Sequence, residues 1–98
     1  ISEAQLYFCN NPNDENSIIE YYAKNIVRAY LAAVNKHLDD IKGMKQKKAI
    51  IGRYEKIIEL SELVKDIIKY LPRIEKRNDY LEEIFEIRRD ASIKKDIL

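Results

Sequence analysis

Apolar residues return every three to four positions through most of the chain, the spacing of one helical face. The first stripe is Ile19, Tyr22, Ile26, Tyr30, Val34, Leu38 and Ile41, with His37 at its edge. Gly43 comes directly after it, where a helix end favours glycine. A second stripe runs through Ile50, Ile57, Leu60, Val64, Ile67 and Leu71. Ile51, Tyr54, Ile58, Leu63 and Ile68 broaden it, so this helix is expected to be covered on more than one side. Gly52 lies inside it at a cost of about 1 kcal/mol relative to Ala, and a close approach of a neighbouring helix would explain its presence.

Pro72 interrupts the pattern. Proline removes an interior helical hydrogen bond and clashes with the preceding turn, so a break is predicted there, with Pro72 near the first turn of a third helix. That helix carries Ile74, Leu81, Ile84, Phe85, Ile87 and Ala91. Upstream, Asn10 to Asn16 reads as a loop. Two helix starts compete at its end, Asn11-Pro12 and the capping box Ser17 to Glu20. Residues 2–9 are expected to form a short helix capped by Ser2, with Leu6, Tyr7 and Phe8 packing on the rest. The expected fold is all-α: an antiparallel three-helix bundle with main helices over 17–42, 45–71 and 73–97, plus a short additional N-terminal helix within 1–16. The chain is read as a single domain over 1–98, and its opening Ile in place of Met reads as a processed or trimmed end.

Composition narrows the class. With 2 Gly, 2 Pro and no Thr, the turns and strands of an all-β fold are lacking. No apolar run reaches the ~18 residues of a membrane span, so no membrane role is expected. A single Cys forms no internal disulfide, which points to a cytoplasmic, intracellular setting.

The chemistry is sparse. His37 is the only histidine, and Cys9 has no Cys or His at ligand spacing. With glycine only at 43 and 52, no phosphate-cradling loop can form. Glu82, Glu86 and Asp90 step by four along the third helix and read as a solvated face. The expectation is no catalytic residue, no metal site, no cofactor and no enzyme activity.

Charge changes the picture more. The net +1 hides net charges of −3 over residues 1–41, +6 over 42–77 and −2 over 78–98. Lys42, Lys45, Lys47 and Lys48 surround the first inter-helix turn, while Lys65, Lys69, Arg73 and Lys76 make a basic stripe if the helix runs through Pro72. These are the candidate nucleic-acid contacts, with Tyr70 and Tyr80 beside the stripe as stacking residues.

The apolar pattern is also broad for one small bundle. Tyr21 and Tyr22 adjoin, so one points away from the seam, and Ile18 sits beside it. A chain of this size buries only about 60–70% of its unfolded surface and leaves little reason for spare Ile and Tyr outside. Ile18, Tyr21, Ile51, Ile58 and Ile68 are therefore the candidate protein-interface residues. The expected function is a non-catalytic interaction module or small subunit that binds another protein or itself; the alternative is a nucleic-acid-binding accessory using the basic residues of 42–48 and 65–76.

Overall fold

A computed structural model describes residues 15–71 and 74–98. All regular structure in it is helical: α1 (Glu15–Lys42), α2 (Lys47–Tyr70) and α3 (Arg77–Ile97). The short N-terminal helix expected within 1–16 lies outside the described residues, apart from the two positions where α1 begins. One of the two competing start signals, Asn11-Pro12, also lies outside the described residues.

The chain doubles back twice. Tyr30 meets Ser61 and His37 meets Arg53, so α1 and α2 run antiparallel. Glu62 meets Arg88 and Glu55 meets Lys95, so α2 and α3 do as well. The middle helix packs against both neighbours, as its broad stripe predicts. Its inner face, Tyr54, Ile57, Ser61, Val64 and Ile68, is the centre of the core. Ala23, Val27, Tyr30 and Val34 close over it from α1, and Ile84 and Ala91 from α3. Burying each of the larger aliphatic groups contributes about 1.5–3 kcal/mol.

The buried line of α1 matches the expected one at Tyr30 and Val34 and departs from it by one residue in the first half of the helix, where Ala23 and Val27 are buried. Ala23 is fully buried, whereas Tyr22 is 57% exposed. Alanine lets the helices approach, and the bulky Tyr22 turns outward.

The two connections differ. Past Lys42, Gly43 N donates to Asp40 O at 3.2 Å and Met44 N to Ile41 O at 3.0 Å, closing a short turn. At the second connection, α2 stops at Tyr70 and Leu71 adopts extended backbone (φ −74°, ψ 130°). A residue before proline is pushed out of the helical region, which explains the stop. The break is thus borne out, but α3 begins only at Arg77, so Pro72 does not occupy its first turn. This connection is braced from both sides: Glu75 N donates to the Glu20 carboxylate of α1, and the Arg77 guanidinium donates to Leu71 O at the end of α2. Ile74 is buried in the core.

Gly52 overturns its expectation. It is exposed, and a Cβ built there meets no atom within 4 Å. No close helix approach accounts for it.

Candidate interaction surface

A buried hydrogen-bond relay fixes the register of α1 on α2. Ser61 Oγ donates to Ile57 O at 2.7 Å, which commits its only proton. Tyr30 therefore donates its phenolic proton to Ser61 Oγ, at 2.6 Å. Burial pushes the Tyr30 phenol above its ordinary value, against the Ser61 bond that favours ionisation, so the neutral donor form persists.

This register settles which apolar residues face out. On α2, Leu63 (59% exposed), Ile67 (37%) and Tyr70 (80%) project from the flank away from α3, with half-buried Leu60 beside them. Leu60 and Leu63 join His37, Lys56 and Glu59 around an open groove of about 430 Å³ between α1 and α2. Tyr22 lies eight residues before Tyr30, and antiparallel register places it level with about residue 69, near Tyr70. It packs edge-on against Tyr21, ring centroids 5.9 Å apart.

A second groove, of about 690 Å³, lies between α2 and α3. Ile58, Leu81 and Phe85 supply its apolar lining, with Glu82 and Arg89 among its charged residues. The same helix pair is held by a charge cluster. Lys65 Nζ reaches Glu62 at 2.8 Å and Asp66 at 3.8 Å, and Arg88 Nε reaches Glu62 at 2.7 Å. The Lys65 hydrogen bond, with Arg88 adding to it, holds the Glu62 carboxyl below the usual carboxylate range.

The candidate interface residues scatter. Ile18 and Tyr21 are half-buried on α1. Ile51 and Ile58 are half-buried on α2, seven residues apart, and Ile58 lines the α2/α3 groove. Ile68 is fully buried in the core and is closed to any partner in this fold. The large apolar residues that do project among the described residues are Tyr22, Leu63, Ile67, Tyr70, Phe85, Ile93 and Ile97, and the first five are mostly ones that periodicity places in or beside the seams.

The basic candidates divide likewise. Lys65 is turned into the charge cluster, with its side chain only 21% exposed. The helix ends between Lys69 and Lys76, so they share no helical face, and Arg73 lies outside the described residues. The expected continuous stripe is therefore not formed. Tyr70 is exposed, but Tyr80 is half-buried, its phenol pushed up by burial and by nearby Glu20, Asp79 and Glu83. At the other end of α2, Lys42 pairs with Asp39 at 3.5 Å. Lys45, Lys47 and Lys48 are exposed and make no ion pair among the described residues. The first turn of α2 has no acidic residue, and its N-cap Gln46 provides no side-chain bond.

His37 Nδ1 accepts from Arg53 Nη1 at 3.2 Å, and Arg53 continues to Asp40 at 3.4 Å. Its role here is to tie α1 to α2. Cys9 lies outside the described residues; among those described, no group of three or more His, Cys, Asp or Glu converges on a metal position, and no helix is long and apolar enough to cross a membrane. Compared with family models, curated proteins and solved structures, the chain matches none.

Proposed function

We propose that this chain is a non-catalytic helical interaction module, a small subunit of a larger assembly, and that it binds a protein partner through the apolar flank shared by α1 and α2. The observation that carries this reading is the outward projection of Leu63, Ile67 and Tyr70 from one flank of α2, with Tyr22 level with them on α1. Single exposed apolar residues are ordinary, but an aligned set rich in Tyr has the composition of an interface. A lone Cys suits the reducing, intracellular setting proposed with it. The test is capture from the native host with wild-type chain and with a Leu63→Asp/Ile67→Asp variant, both verified as folded by circular dichroism. The variant should lose a partner that the wild type retains. Identical captured sets would refute the reading.

One observation favours a second reading, contact with nucleic-acid phosphates. Lys45, Lys47 and Lys48 stand unpaired at an uncapped helix start, where two lysines in the first turn oppose the helix dipole. Titration with DNA and RNA at two salt concentrations tests it. Charge reversal at Lys47 and Lys48 should lower the salt slope by about one for each phosphate that is no longer neutralised. No binding at low salt would remove this reading.

A further inference from the structure

Leu60, Leu63, Ile67 and Tyr70 are spaced by three, four and three residues, the repeat of a coiled-coil seam. Such a seam takes another helix rather than an extended strand or a flat surface, because each side chain enters a gap between residues of a facing helix. The α1 side suits the same occupant. Ala33 stands one turn before His37 along the flank, with Ala29 one turn earlier, and small side chains there leave room for a third backbone. Charge selects among helices. Glu59 and Asp66 precede Leu60 and Ile67 and occupy the outer edge of the seam, seven residues apart. Their ion contacts are long, Glu59 to Lys56 at 4.0 Å and Asp66 to Lys65 at 3.8 Å. A second copy pairing antiparallel through this seam sets Leu60 against Tyr70 and Leu63 against Ile67, which brings Asp66 near Asp66 of the other chain, a repulsive juxtaposition.

From this geometry and charge pattern we infer that the α1/α2 groove receives one amphipathic helix of a different protein. Leu- or Ile-type residues of that helix fill the seam, and its flank towards α2 is basic, facing Glu59 and Asp66. The inference rests on the interaction-module reading and specifies its partner by chemistry.

Two synthetic amphipathic peptides test it. They share one leucine seam and differ only in carrying Lys or Glu on the flanking positions. Binding is followed by chemical-shift mapping on the isotope-labelled chain. The Lys-flanked peptide should bind roughly tenfold more tightly and perturb Tyr22, Leu63 and Ile67. A Glu59→Lys/Asp66→Lys variant should reverse that preference, a result that lost folding cannot imitate. Equal binding of both peptides, binding of neither, or shifts centred on Phe85 would overturn the inference. So would a dimer of the chain, seen by light scattering, that dissociates on Leu63→Asp/Ile67→Asp substitution. In that last case the interaction-module reading survives with a second copy as occupant. The reading itself fails only by the capture experiment.

Discussion

The two flanks of α2 carry similar residues and have opposite fates. Its inner line is Tyr54, Ile57, Ser61, Val64 and Ile68, and every member is buried. Its outer line is Leu60, Leu63, Ile67 and Tyr70, three of them substantially exposed. The outer line is the more apolar in composition, because the inner one contains a serine. Hydrophobicity alone therefore did not choose the buried side. The choice fits partners: Ser61 finds both a carbonyl and a phenol, so its hydroxyl is satisfied away from water. Turning α2 to bury Leu63 and Ile67 would strand that relay.

The largest way to break the contrast is a cavity on the inner line. Ile68→Ala should destabilise the chain by about 2–5 kcal/mol, read as a lower denaturant midpoint. If Ile68→Ala unfolds no more easily than Leu63→Ala, the two flanks are energetically alike and the assignment of the core is wrong. Next comes the relay. Ser61→Ala leaves the Tyr30 hydroxyl buried without its acceptor and should cost about 1–3 kcal/mol. Adding Tyr30→Phe should recover part of the loss, and a strictly additive pair would show that the two groups are not coupled.

The relay also gives a pH signature. The folded-state pKa of Tyr30 is raised by burial, so its stabilisation is complete below the unfolded value of about 10 and is lost as pH rises through the folded value. Melting temperature should fall with rising alkalinity more steeply in wild type than in Tyr30→Phe. Parallel curves would mean that Tyr30 ionises as freely in the fold as outside it.

Smaller effects lie on the outside. Gly52→Ala should stabilise by about 0.5–1 kcal/mol, since the added methyl meets nothing and the backbone loses less freedom on folding. A destabilised Gly52→Ala would reveal a close neighbour that this fold does not contain. Smallest is Leu63→Ser, expected within about 0.5 kcal/mol of wild type in the isolated chain. A large loss there would mean that the outer line already packs against the chain itself.

Much of the fold was legible in the residues. Gly43 and Pro72 placed both breaks, and the 3-4 spacing placed all three helices. Periodicity was less sharp on rotation. In the first half of α1 adjacent apolar residues fit two settings that differ by one position, and the smaller of each pair, Ala23 beside Tyr22 and Val27 beside Ile26, is the buried one. Counting hydrophobic residues passed over Ser61 because its polarity is cancelled by partners 31 and 4 residues away. The same counting put Ile67 in the seam and Ile68, like Leu63, on its flank, with Ile68 as an interface candidate. Apolar residues do remain outside the bundle, but which ones depended on a hydroxyl relay that no periodicity encodes. The basic stripe over 65–76 failed for two local reasons, the stop before Pro72 and the capture of Lys65 by Glu62.

The two connections carry a practical consequence. Residues 43–46 are closed by short backbone hydrogen bonds, and a Cβ at Gly43 meets only Asp40 O, at an ordinary 3.8 Å. At the second connection Glu75 is held by Glu20 from one helix and Leu71 by Arg77 from another. A fluorophore, an affinity tag or a new pair of chain ends belongs at the first connection, where it interrupts no side-chain tie between helices. Placed at the second, it would unfasten two helices at once.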